Sequence, residues 1–147
     1  MSVKINLERI NDAVNFKASN VDGSSILMDG SPDLGGQGNG VRPMQTLLMG
    51  LAGCSAIDMV MILDKMRQQL DDISIDVEGF EKQMDGFKEY EKIHMTFHLF
   101  GDIKAEKAKK AAELSVKKYC SVAKTLEKTS EITYSLHLNS ENLQLDN

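Results

Sequence analysis

Pro43-Met44-Gln45-Thr46-Leu47-Leu48-Met49-Gly50-Leu51-Ala52-Gly53-Cys54-Ser55-Ala56-Ile57-Asp58 begins the segment around which the rest of the chain has to arrange itself. Proline suits the first turn of a helix, where its missing N–H has no partner to lose, and the apolar run behind it predicts a helix over 43–66. That helix is apolar around most of its circumference, so it needs protein on nearly every side. A membrane span is the competing reading. The run from Leu47 to Leu63 carries Asp58, Gly50 and Gly53 and falls short of the roughly 20 residues a span requires, so a buried core helix is expected.

On the N-terminal side the pattern changes to period two. Val3-Lys4-Ile5-Asn6-Leu7 alternates as a half-buried strand does, residues 13–18 return beside it across Asn11-Asp12, and Asp22-Gly23 turns the chain into Ser25-Ile26-Leu27-Met28-Asp29. Strands therefore fill 1–30. Residues 30–41 are glycine-rich and predict a mobile loop that could serve as a lid. Gly36-Gln37-Gly38-Asn39-Gly40 lacks the Gly-Lys-Ser/Thr continuation of a phosphate-binding loop.

On the C-terminal side two alternating segments around Asp85-Gly86 predict antiparallel strands over 72–100 with one wet face. Asp102 is placed to cap a second long helix over 102–120, with Ala105, Ala108, Ala112, Ser115 and Tyr119 as a stripe of mostly small residues for close packing. Ser121 starts a further helical turn, a final strand covers 131–139, and the polar tail 141–147 is expected to fray. Strands in runs, separated by helices without strict alternation, imply an α+β fold with antiparallel sheets in a single domain, 1–147.

The totals fit one soluble domain: 147 residues, 41% apolar, 27% charged, and nine Met as flexible core filler. A net charge of -5 leaves no basic footprint for nucleic acid, and the lysines of 104–118 share their helix with Glu106 and Glu113, as a solvated face does. Met1-Ser2-Val3-Lys4-Ile5-Asn6 is neither a cationic nor an apolar leader, so a cytoplasmic location is expected. A reducing compartment favours thiols that are free, metal-bound or cycling over a permanent disulfide.

Two cysteines are present, Cys54 in the apolar helix and Cys120 at the end of the second one. Such a pair can work as attacking and resolving sulfurs, or both can be small buried hydrophobes. Zinc is the weaker reading, because His94 and His98 lie four strand residues apart, about 13 Å. They and His137 read as wet-face strand residues. Asp58, one turn after Cys54, reads first as a helix-packing hydrogen-bonder and second as a site residue.

Taken together, Ile26-Leu27-Met28-Asp29-Gly30, the helix from Arg42-Pro43-Met44-Gln45 to Gly53-Cys54-Ser55-Ala56-Ile57-Asp58, the segment Lys118-Tyr119-Cys120-Ser121-Val122-Ala123-Lys124-Thr125-Leu126 and the strand from Ile132 resemble the OsmC/Ohr family of thiol-dependent hydroperoxide reductases. The likeness spans nearly the whole chain and is closer to the OsmC-like branch than to the Ohr enzymes. It implies antiparallel sheets wrapped around two long central helices in an intertwined homodimer, with active sites at the subunit interface and no metal or organic cofactor. It also implies that Cys54 is peroxidatic and Cys120 resolving, in an antioxidant role against oxidative stress.

The family activates its first cysteine with an arginine and a glutamate. Here Arg42 or Arg9 would be the guanidinium, and Met44 and Gln45 stand where the carboxylate is expected, Gln45 being able to hydrogen-bond but not to carry charge. The implied partners are a small-molecule hydroperoxide and an external dithiol reductant, with neither nucleic acid nor membrane. Leu51, Met49 and Met59 are expected as apolar walls favouring organic hydroperoxides. The alternative is a non-catalytic stress protein binding a small ligand or lipid on the same dimeric scaffold.

Overall fold

The computed structural model describes residues 1–145; the last two residues of the tail read as frayed lie outside the described residues. Its contacts gather into two compact units, Met1–Leu47 and Leu48–Asn147, with elements of both α-helix and β-sheet.

In the first unit β1 (Ile5–Arg9), β2 (Phe16–Asn20) and β3 (Ser25–Met28) form an antiparallel sheet in the order β1-β2-β3, with Leu7 opposite Ala18 and Ala18 opposite Ile26. Asparagine side chains build both turns. Asn11 Oδ1 accepts the N–H groups of Ala13 and Asn15, and Asn20 Oδ1 accepts those of Asp22 and Ser24 while Gly23 takes φ +86.

The glycine-rich segment is not a loose lid. Asp29 is only 2% exposed, and its carboxylate accepts N–H groups from Gly30, Gln37 and Asn39, which winds 30–39 around one buried anion. The N–H groups of Asn39 and Gln37 hold this carboxyl below its ordinary value. Periodicity cannot reveal such an anchor, because the bonds run from one side chain to distant backbone.

Helix α1 (Pro43–Lys65) carries the chain from the first unit into the second, as the proline and the apolar run predict. Its buried residues, Leu51, Ser55, Met59 and Leu63, recur every four positions and so form one stripe. The expectation of burial on all sides fails within one chain. Met49, Ile57, Val60 and Met61 are 50%, 66%, 45% and 54% exposed. By length and composition α1 could cross a membrane, with mean hydropathy 1.9 over a window that is 22% buried.

The second unit holds a four-stranded sheet in the order β4-β5-β6-β7: β4 (Gln69–Gln83), β5 (Lys88–Asp102), β6 (Glu131–Leu138) and β7 (Glu141–Leu143). β4 and β5 are far longer than their alternating cores suggest, joined at Asp85-Gly86 with Gly86 at φ +81. Ile93, Met95, Phe97 and Leu99 of β5 are fully buried, each burial worth about 1.5–3 kcal/mol. β5 and β6 run parallel, pairing Phe97 with Leu136, which makes this sheet mixed where antiparallel pairing is expected throughout. The helical connection between them allows this, since parallel neighbours need a crossover. β7 pairs with β6 in the segment expected to fray, burying part of an edge that would otherwise be open.

That crossover also corrects the second helix. Asp102 ends β5 and is not the cap of the helix; α2 (Ala105–Leu114) starts after Lys104 and gives way to a π-helical turn, Ser115–Tyr119, before α3 (Ser121–Leu126). In the π turn the Cys120 N–H reaches the Ser115 carbonyl at 2.8 Å. The buried face is therefore Ala108, Ala111, Ala112, Ser115, Val116 and Cys120, while Ala105 and Tyr119 face out.

Candidate functional site

Cys54 sits on α1 one residue before Ser55, a member of the buried stripe, so its own side chain is only half-buried. Cys120 follows the π turn and is completely buried. At φ -69 and ψ 106 it leaves the helix and caps α3, its sulfur accepting the Ala123 N–H at 3.3 Å. The Ser55 hydroxyl donates to the same sulfur at 3.5 Å, and the Ser115 hydroxyl donates to the Ser55 carbonyl at 3.3 Å. Two serines thus lock the π turn onto α1, a role no motif reading assigned them.

The result is a compact group. The sulfurs of Cys54 and Cys120 and a carboxylate oxygen of Asp58 all lie within 4.8 Å of one another. Burial pushes the Cys120 thiol up; the Ser55 hydroxyl and Ala123 N–H offset part of this, and the adjacent Cys54 adds to it. Cys120 therefore stays protonated where an ordinary thiol begins to ionise. Two thiols this close can be joined by oxidation with a small further approach, since bonded cysteines need their sulfurs at about 2.05 Å.

Asp58 departs from its first reading as a helix-packing hydrogen-bonder. Its Oδ2 is buried without a hydrogen-bond partner among the described residues, and burial raises its carboxyl. The i, i+4 spacing from Cys54 was the available signal, since it puts both side chains on one helix face.

The other expected site residues belong to the N-terminal unit. The Arg42 backbone N–H donates to Gln45 Oε1 at 2.9 Å, and the Arg42 guanidinium donates to the Gly40 carbonyl at 3.5 Å. Arg9 is committed to its own hairpin loop, donating to the Ala13 and Asp12 carbonyls.

The histidines are engaged elsewhere. His94 bridges the hydroxyls of Thr133 and Ser135, and His98 contacts Asp76 at 2.9 Å and stacks on His137 with ring centroids 5.1 Å apart. The apolar walls differ from expectation too: Leu51 and Met59 are sealed in the core. A cleft of about 550 Å³ is lined instead by Met61, Ile62, Met66, Leu114 and Tyr119, with Asp58 and Lys65 as its charged groups.

A fold with these features has known counterparts. The family model for OsmC-like proteins matches residues 36–135. Protein YhfA of Escherichia coli K12 is 36% identical over 125 residues, covering 84% of this chain and 90% of its own. A crystal structure of a hypothetical protein from Aquifex aeolicus VF5 superposes with TM-score 0.77 at 27% identity, covering 95% of this chain and 98% of that one. An organic hydroperoxide resistance protein OsmC from Legionella pneumophila shares the fold at TM-score 0.73 and 15% identity, covering 93% and 97%. The family match over most of the chain, together with the YhfA identity, makes the protein a member of the OsmC-like family.

Proposed function

We propose that this chain is a thiol-dependent reductase of organic hydroperoxides, with Cys54 attacking and Cys120 resolving. Membership of the OsmC-like family supports a redox or peroxide-stress role. The observation that carries the finer reading is the pairing of a half-buried thiol with a fully buried one, their sulfurs within 4.8 Å. Access assigns the order. Peroxide meets Cys54 first, and the raised Cys120 thiol waits as the second proton-bearing sulfur.

The Cys54 thiolate attacks the terminal oxygen of ROOH, the O–O bond breaks, and the alkoxide takes a proton to leave as ROH. Cys54 is now a sulfenic acid. Cys120 condenses with it, forming the disulfide and releasing water, and an external dithiol supplies the two electrons that restore both thiols. Arg42 is proposed as the activating guanidinium and Gln45 as its hydrogen-bonding neighbour, all in one OsmC-like domain working in a reducing cytoplasm. A homodimer belongs to the proposal because a second copy would cover Met49, Ile57, Val60 and Met61, an apolar face too extensive to leave in water.

Consumption of cumene hydroperoxide with a dithiol reductant tests the reading. Cys54→Ser should abolish turnover. Equal rates for wild type and variant would instead favour the rival reading, a non-catalytic ligand or lipid binder, which the cleft of about 550 Å³ keeps in play.

A further inference from the structure

We propose that Asp58 is the proton carrier of this site, taking the proton of the Cys54 thiol and returning it to the departing alkoxide. The assignment rests on the hydroperoxide reading above and adds to it a residue that Gln45 cannot replace, since an amide exchanges no proton at neutral pH.

Three features of place support it. Asp58 follows Cys54 by four residues, so the carboxyl and the thiol share a face of α1, with an oxygen within 4.8 Å of both sulfurs. Its Oδ2 is buried with no hydrogen-bond partner among the described residues, while the neighbouring hydroxyls of Ser55 and Ser115 are bonded. A buried carboxylate oxygen without a donor costs stability and is free to accept a donor that arrives during reaction, here a thiol or peroxide proton. Finally, Asp58 lines the cleft of about 550 Å³, so the carboxyl beside the two sulfurs also faces a space open to a small molecule.

The proton balance closes. Asp58 as carboxylate accepts the Cys54 proton, the thiolate takes OH from ROOH, and the protonated Asp58 gives its proton to RO⁻. The net change is RSH and ROOH to RSOH and ROH, with Asp58 restored. Burial lifts its carboxyl toward the thiol range and reduces the mismatch in proton affinity that a surface aspartate would present. The other titratable groups around it are Cys54 and Lys65 from α1, and Tyr119 and Cys120 from the π turn and its end.

Two readouts on wild type, Asp58→Asn and Asp58→Glu test the assignment. The first is kcat/KM for cumene hydroperoxide across pH. The second is the pH midpoint of Cys54 alkylation in a Cys120→Ser background, which needs no turnover. Support is a loss of about 100-fold or more in Asp58→Asn, disappearance of the acidic limb of its rate profile, partial recovery in Asp58→Glu, and a lower alkylation midpoint once the neighbouring negative charge is gone. With wild type active, an Asp58→Asn rate within threefold or an unmoved alkylation midpoint overturns the assignment. If Asp58→Asn fails to fold, Asp58→Ser, which also removes the carboxyl, is judged by the same limb and midpoint. Wild type without turnover defeats the hydroperoxide reading and the catalytic role with it, and a midpoint that still moves locates that failure in the substrate rather than in the coupling of Asp58 to Cys54.

Discussion

Treating the reduced protein with one equivalent of organic hydroperoxide should tie Cys54 to Cys120, and the energy of that bond can be worked from the chain. The cross-link closes a loop of about 66 residues, and the loop-entropy relation gives about 14.6 cal/mol/K removed from the unfolded state, roughly 4 kcal/mol at 25 °C. Work spent drawing the sulfurs from within 4.8 Å to bonding distance subtracts from this. A net gain of about 2–4 kcal/mol should raise Tm by roughly 5–15 °C in a chain of this size. Calorimetry of the oxidised protein with and without dithiol reads the shift, and intact mass should fall by two hydrogens. Cys120→Ser keeps a good helix cap for α3, so it should fold, yet show neither change and gain oxygen at Cys54 instead. Oxygen addition to the wild type without loss of hydrogen, or an equal Tm shift in Cys120→Ser, would refute the argument that these sulfurs meet.

Ser55→Ala removes the hydroxyl that offsets part of the burial effect on Cys120, so in a Cys54→Ser background the Cys120 thiol should titrate at higher pH, with stability changed by only about 1 kcal/mol; ultraviolet thiolate absorbance reads this, and an unchanged midpoint counts against the bond. The Asp29 carboxyl is held below 3.8 by the N–H groups of Asn39 and Gln37, so folding favours its ionised form. Its contribution is complete above that pH and is lost as pH falls through the lower folded value. Amide exchange at Gln37 and Asn39, corrected for intrinsic rate, should accelerate on acidification, and Asp29→Asn should show the fast exchange already at neutral pH; wild-type protection in that variant would mean the loop is held by something else.

Much of the architecture was legible because it depends on local pattern. Period two marked the strands through Leu7, Ile75 and Phe97, the proline and apolar run marked α1, and Asp85-Gly86 marked the turn between β4 and β5. The parallel pairing of β5 and β6 was not legible, because strand direction follows from the path of the connection and not from the strand's own residues. The glycine-rich segment misled for a related reason: its composition reads as mobility, while Asp29 anchors it through bonds to backbone up to ten residues away.

The candidate site divides the same way. The residue types, the order of the two cysteines and their helical settings are properties of the chain read in one dimension, since helix ends and apolar faces depend on near neighbours. Whether Cys120 points inward is set by one extra residue in the Ser115–Tyr119 turn, which turns Tyr119 out and brings the sulfur under Ser55. Asp58 gains its meaning similarly, because a carboxylate becomes unusual only when folding buries one of its oxygens and puts two thiols beside it. Proximity and desolvation arise when distant segments pack, and no spacing along the chain encodes them alone.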